Sequence, residues 1–273
     1  MLPTITITPE EQSAGKMTPE RLAEASQLFG TNGTLIIRQI LPPDLVNRMH
    51  TAFLERYQQY FVNKEHKDAL TVGDKRFMVT LTFEEPFNTP LLYANPFAAP
   101  IMRTFLSAKY ILGSFGSVVS LPGSQDQGVH RDFDGLFPDE GLDGILPPYA
   151  ITLVVPLIAV NEITGTTLVW PRSHRMRSDK YPETDPELPL LSPGDCLLMD
   201  YRLVHYGSAN RSEHVRPILY NIYWRPWFYD YMNYEKQPRL RLSRDAFEQL
   251  PEEHRHLFAQ ATLRNDDYQS QPG

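Results

Sequence analysis

A chain of 273 residues, 41% of them hydrophobic, can bury one large core, and a single domain is expected over 1–273. A formal net charge of -7 and a pI near 5.6, with no basic stripe, argue against a nucleic-acid partner. Cys196 is the only cysteine, so no intrachain disulfide can form, and the opening MLPTITITPEEQSAGKM has neither the basic nor the apolar region of a signal peptide; a cytoplasmic protein is expected.

Up to about residue 109 the chain reads as helix and loop. TPERLAEASQLF offers Thr18 as an N-cap and Pro19 at the first helical position, with Leu22, Ala25 and Phe29 on one face. PPDLVNRMHTAFLERYQQYF repeats the device through Leu45, Met49 and Phe53. A third helix is predicted from Pro96 to about Lys109, burying Ile101, Met102, Phe105 and Leu106. From about 110 to 228 the texture turns to short β-rich runs: YILGSFGSVVSL, AITLVVPLI, GTTLVWP, GDCLLMDYRLVHYG and RPILYNIYWRPWF. Short strands with regular turn signals indicate a sandwich or barrel. The longest apolar run, residues 150–160, is well short of the roughly 20 residues of a membrane helix and contains Pro156, so no membrane partner is expected. A C-terminal extension, about 229–273, is charged and helix-compatible, and its last residues are expected to fray.

The first chemistry lies in QDQGVHRDFDGLF, residues 125–137. Side chains at i and i+2 of an extended segment point the same way, so His130 and Asp132 can converge on one point. In a chain with 8 histidines and 33 acids that pairing is a weak signal by itself. His205, ending the run CLLMDYRLVH, is the best third ligand. Two histidines and a carboxylate on one face of a metal suit a non-haem Fe(II) oxygenase, but zinc hydrolases use a similar set. A metal-dependent hydrolase or isomerase on a cupin-like barrel therefore stays open as the alternative. Arg216 follows beyond the turn-forming SANRSE, inside an apolar run. A guanidinium can engage both oxygens of a carboxylate, which suits a dicarboxylate cosubstrate; its plainer role is an ion pair with Glu213 or Asp200.

Four blocks, QGVHRD, NEITGTTLVWPRSHR, SPGDCLLMDYRLVHYGSANRSEHVRP and LYNIYW, resemble the phytanoyl-CoA dioxygenase family of Fe(II)/2-oxoglutarate oxygenases, over roughly residues 28–228. The resemblance implies a mainly β fold with flanking helices: a double-stranded β-helix, or jelly-roll, cupin-like barrel. It implies His130, Asp132 and His205 as ligands of Fe(II), Arg216 as anchor for the distal carboxylate of 2-oxoglutarate, and Gln127 near that cosubstrate, with O2 as the second cosubstrate. Thr152 and Thr167, on neighbouring strand-like runs, are further candidates to hydrogen-bond 2-oxoglutarate, although threonine is ordinary in a strand. The family's Pro-Gly-Ser-His is Pro171-Arg172-Ser173-His174 here, so the loop backbone is expected to differ and His174 to be structural. Asp132 stands where related halogenases carry a small residue. The reaction implied is hydroxylation of an unactivated C–H bond with release of succinate and CO2, while desaturation, epoxidation and ring closure use the same ligands.

RDFDGLFPDEGLDG sets Asp134, Asp139, Glu140 and Asp143 near the metal, interleaved with Phe133 and Phe137. Lining a mouth, these residues would favour a polar or cationic small molecule; they equally make a solvated loop. The aromatic run 223–234 offers Trp224, Arg225 and Trp227 as substrate contacts, or forms the packed end of the barrel. The acidic charge gives no support to a large anionic thioester. A polar small molecule of specialised metabolism is the expected substrate, and a monomer or weak homodimer the expected assembly.

Overall fold

The computed structural model describes residues 2–264 with the exception of 134, 139, 235 and 236. Asp134, Asp139 and the tail beyond 264 therefore lie outside the described residues. Strand β1 (Thr4–Thr6) leads into α1 (Pro9–Ala14), where Thr8 and Glu11 form a reciprocal capping box. Helix α2 (Pro19–Asn32) is capped by Thr18, whose hydroxyl accepts from Arg21 N at 3.3 Å, and is stopped by Gly33 at φ 70°. Then come β2 (Thr34–Arg38) and α3 (Pro43–Arg56), which buries Leu45, Met49 and Phe53, the face the spacing predicts. Strands β3 (Ala69–Gly73) and β4 (Arg76–Thr80) precede the short α4 (Pro90–Tyr93) and α5 (Ala98–Leu106). Phe105 sits at the margin of α5, edge-on to Phe29 with ring centroids 5.1 Å apart.

The segment before residue 110 is not helical alone, because it supplies four strands to the main sheet. A run such as TLIIR is too short to display a period, and its pairing with β1 and β8 makes it a strand. Strands β5 (Ile111–Ser120), β6 (Ala150–Pro156), β7 (Thr167–Val169), β8 (Cys196–Asp200), β9 (His205–Gly207) and β10 (Arg216–Trp224) follow, and β11 (Leu242–Ser243), α6 (Arg244–Glu248) and β12 (Leu263–Arg264) lie beyond. The main sheet has eight strands in the order β1-β2-β8-β6-β10-β5-β4-β3, antiparallel except for β1–β2. β7 and β9 form a second, small sheet, extended by single bridges from His130 to His205 and from Glu187 to Val169. The run GDCLLMDYRLVHYG breaks at a turn, with Leu203 N donating to Asp200 O at 2.9 Å, so β8 joins the main sheet and β9 the small one.

Alternation along β10 divides the molecule. Leu219 and Tyr223 pack under the helices with Phe29, Phe53 and Val155, while Arg216, Ile218, Tyr220 and Ile222 face a cavity on the side of the small sheet. Among the described residues no helix is long and apolar enough to cross a membrane.

The register between β5 and β10 shifts at Ile222/Tyr223 and leaves Gly113 without a partner. The ring of the fully buried Trp224 lies across that glycine: a Cβ there would sit 2.1 Å from Trp224 Cδ2. Gly113→Ala is expected to destabilise the fold by about 1–3 kcal/mol through overpacking, read as a lower urea midpoint at unchanged slope.

Candidate metal centre

His130 and His205 meet across one antiparallel bridge. His130 N donates to His205 O at 3.0 Å and His205 N to His130 O at 2.9 Å, which leaves the ring centroids 4.4 Å apart. Each ring holds its Nδ1 against a carbonyl two residues back, His130 on Gly128 O at 2.8 Å and His205 on Leu203 O at 2.9 Å. A carbonyl only accepts, so Nδ1 carries the proton and Nε2 of each neutral ring offers a lone pair. Asp132 completes the group. Its Oδ1 lies 3.5 Å from His205 Nε2, its Oδ2 is buried without a partner, and one ligand atom from each of the three residues lies within 4.8 Å of the others. An orphaned carboxylate oxygen beside two imidazole lone pairs is completed by a divalent cation. Among the described residues no other cluster of histidine, cysteine and acid side chains has this geometry.

Burial lowers the pKa of His130, and the neighbouring His205 lowers it further. Burial acts the same way on His205, but the Asp132 carboxylate outweighs it and raises that pKa.

A cavity of about 350 Å³ opens from this trio, and Arg216, Gln127 and Thr167 also line it. Arg216 is 1% exposed, and among the described residues its Nε has no partner and its guanidinium makes one long hydrogen bond, Nη1 to Ser208 O at 3.4 Å. Neither Glu213 nor Asp200 pairs with it; Asp200 is taken by Arg202 at 2.7 Å. Burial, with repulsion from Arg76, pushes the guanidinium down to about 9. Gln127 clamps backbone at the cavity wall, accepting from Gly207 N at 2.9 Å and donating to Val72 O at 2.5 Å. Thr152 and Thr167 are not on neighbouring strands. The chain crosses from the main sheet to the small one after Pro156, so Thr167 reaches the cavity, whereas Thr152 is buried in the main sheet with its hydroxyl unpartnered and does not line it.

Arg76 escapes the sequence reading. On β4 it stands opposite Ser120, which is itself opposite Arg216 on β10, so the three side chains leave the same face of the sheet. Fully buried, it donates to Gly207 O at 2.7 Å, Ser208 O at 2.8 Å and Gln125 O at 3.2 Å. Burial lowers it to about 10, with Asp126 and Asp74 acting in the opposite sense. An arginine at the start of a short strand looks like solvent-facing edge in one dimension, so no sequence signal marked it.

The aromatic candidates lie elsewhere. Phe133 is buried against Phe228 with centroids 5.1 Å apart, Phe137 is exposed, Trp224 packs on Gly113, and Trp227 is exposed. Arg225 donates to Pro148 O at 2.9 Å and Phe105 O at 2.7 Å. None of these five lines the cavity; Tyr201, Tyr220, Asn233 and Tyr234 do. Asp143 is turned inward, accepting from Leu136 N at 2.7 Å, and adds no charge to a mouth. Arg172 keeps the left-handed backbone that glycine favours, φ 72° and ψ -7°, with its N–H donating to Asn32 O at 2.7 Å. The family's glycine is therefore replaced without leaving a glycine-type turn, at a strain of roughly 1–2 kcal/mol. His174 beneath it is buried against Gly33.

The sequence pattern of the phytanoyl-CoA dioxygenase (PhyH) family matches residues 29–218. Dioxygenase trt7 of Aspergillus terreus is 26% identical over 200 residues, 71% of this chain and 70% of that protein. AviO1 from Streptomyces viridochromogenes Tue57 superposes with a TM-score of 0.58 at 21% identity, over 75% of this chain and 95% of its own. The epimerase SnoN, solved in complex with Fe3+, alpha ketoglutarate and nogalamycin RO, superposes at 0.54 with 16% identity, over 76% and 84%. At such identities these structures speak for the fold, a cupin-type β-helix.

The His205 proton must leave before a metal binds. Since Asp132 raises that pKa above the ordinary imidazole value of 6.5, Fe(II) affinity should fall about tenfold per pH unit on the acid side of the raised value and level off above it. The sign in the metal-free protein is the reverse: the His205–Asp132 pair stabilises the fold at low pH, and that stability is lost as pH rises through the raised pKa. Anaerobic Fe(II) titrations and urea melts at a series of pH values read both slopes.

Proposed function

The chain belongs to the phytanoyl-CoA dioxygenase family, and on that premise we propose that it hydroxylates an unactivated C–H bond of a polar small molecule of specialised metabolism, releasing succinate and CO2. It is an Fe(II)/2-oxoglutarate-dependent dioxygenase. The observation that carries the residue assignment is Arg216: a guanidinium 1% exposed, with no acid paired to it among the described residues, facing a cavity lined also by two histidines and by Asp132, whose Oδ2 has no partner. A buried, unpaired cation costs several kcal/mol, and an anionic cosubstrate removes that cost.

The reading assigns Nε2 of His130, Nε2 of His205 and the Asp132 carboxylate to iron. When bound, iron supplies the redox chemistry that couples decarboxylation of 2-oxoglutarate by O2 to oxidation of the substrate. The Gly128 and Leu203 carbonyls keep the protons on Nδ1, so both rings meet the metal as neutral donors. Arg216 takes the distal carboxylate of 2-oxoglutarate. Arg76 takes the Gly207 carbonyl and holds the Ser208 carbonyl at 2.8 Å, where Arg216 has only a long contact, so Nε of Arg216 is open to the ligand and a second positive charge stands behind it. Thr167 offers a hydroxyl on the same wall, and Gln127 fixes the strand from which it is reached.

For the substrate, Tyr201, Tyr220, Tyr234 and Asn233 line the cavity together with the apolar Met78, Val118, Ile218 and Ile222. Phenol and amide groups over an apolar floor suit a neutral, oxygen-bearing molecule. A cavity of about 350 Å³, shared with the cosubstrate, admits only the reacting part of such a molecule and does not favour an acyl-CoA.

Anaerobic Fe(II) followed by 2-oxoglutarate should give the weak visible charge-transfer band of a chelated keto acid in the wild type and none in His205→Ala. Iron binding without a band in the wild type would remove the reading. Arg216→Met should weaken 2-oxoglutarate about 10- to 100-fold, the loss of about 1.5–3 kcal/mol from a charge-assisted contact, without lowering the melting temperature. Because a protein of this fold is called an epimerase, mass spectrometry and chiral analysis of the product must separate an added oxygen from an inverted centre.

A further inference from the structure

We propose that Asp230, beyond the barrel, is a positioning residue of the iron site, acting through Asn233 on the backbone of Asp132. The inference rests on the iron-ligand assignment above but concerns groups which that assignment does not use. Asp132 lies two residues past the His130–His205 bridge, where no strand ladder continues. Among the described residues, the only hydrogen bond to its backbone is from Asn233 Nδ2 to Asp132 O, at 2.9 Å. The other amide proton of Asn233 goes to Asp230 Oδ2 at 2.8 Å, so the amide is gripped from both sides.

Asp230 is fully buried and no cation pairs with it among the described residues. Four donors meet its carboxylate instead. Met232 N at 2.9 Å and Asn233 N at 3.0 Å bind Oδ1, the ordinary pattern of an aspartate that opens a turn. The two bonds on Oδ2 are of another kind. Asn233 Nδ2 is one, and Tyr201 OH at 2.5 Å is the other; they tie the turn to the end of β8 and to a proposed metal ligand. Tyr201 and Asn233 both line the cavity beside Asp132, so the network that holds the ligand also forms the wall over it. A turn alone needs only the first pair of bonds. The second pair buries a carboxylate that must keep every donor, which is how a polar network fixes one geometry.

Groups that orient a metal ligand typically change metal affinity 10- to 100-fold when removed. Fe(II) alone is titrated anaerobically into the full chain and into Asp230→Asn, Asn233→Ala and Tyr201→Phe, and hydrogen–deuterium exchange is followed on the metal-free proteins. The Fe(II) Kd should rise about tenfold or more in Asp230→Asn and Asn233→Ala, and less in Tyr201→Phe, which keeps the amide–carboxylate contact. Exchange should rise at residues 131–133 and 229–234 while β5 and β10 keep wild-type protection. Should Asp230→Asn fail to fold, Asn233→Ala, which leaves the buried carboxylate and its turn in place, decides the matter. Wild-type Fe(II) affinity in the folded variants, or exchange raised throughout the main sheet, overturns the role of Asp230. Failure of the wild type itself to bind Fe(II) overturns the iron assignment and this inference together.

Discussion

Two main-chain hydrogen bonds between His130 and His205 are the constraint on which the site depends. They join a loop to a strand of three residues and bring together side chains far apart in sequence. A third bond, Gln127 N to Gly207 O at 2.9 Å, continues the pairing, and on the other edge β9 is held by β7 through Val169 and His205. Side chains on a strand alternate, so a slip of one residue in this register would turn the His205 ring out of the cavity. The small sheet has little area of its own, and its accuracy comes from these few bonds and from the clamps of Gln127 and Arg76 on Gly207.

The main sheet answers for stability and the small one for chemistry. On the helix side, Phe29, Phe53, Val155, Leu219 and Tyr223 belong to one large buried cluster. Its hydrophobic gain allows the molecule to hold groups that disfavour folding: the fully buried Arg216, Arg76 and Asp230, and the buried Oδ2 of the partly exposed Asp132. The polar face is not uniformly unsatisfied. Arg76 and Asp230 meet several partners each, whereas Arg216 and Asp132 Oδ2 are left open. Groups already satisfied act as fixtures; the open ones are those a ligand can complete.

The segment after β10 belongs to the site as well as to the surface. Arg239 lies over the rings of Trp224 and Tyr229, at 5.2 and 4.8 Å from their centroids, and Phe258 packs edge-on against Phe83. Asn233 and Tyr234, in the same segment, line the cavity. In the sequence the aromatic run 223–234 reads equally as substrate contacts or as the packed end of the barrel. Trp224 is core because Gly113, displaced by a bulge on the neighbouring strand, leaves room for its ring.

By itself the sequence determined what depends on neighbours along the chain. The Thr18 cap of α2, the apolar spacing of α2, α3 and α5, the β-rich runs of β5, β6, β8 and β10, and the convergence of His130 with Asp132 two residues on all follow from local pattern. His205 and Arg216 entered as candidates from the runs that carry them, and the motif resemblance gave them their roles as iron ligand and cosubstrate anchor. Tertiary structure decided what depends on distant pairing. TLIIR is a strand between β1 and β8, Arg76 shares the inward face with Ser120 and Arg216 through the register of β4, β5 and β10, and Thr152 parts from Thr167 because the chain changes sheets between them. Tyr201, Tyr220, Asn233 and Tyr234 gather round one cavity from separate segments. Local propensity sets the period of a segment, but the face it presents and the partner it meets are set by long-range contacts, which one-dimensional spacing does not encode.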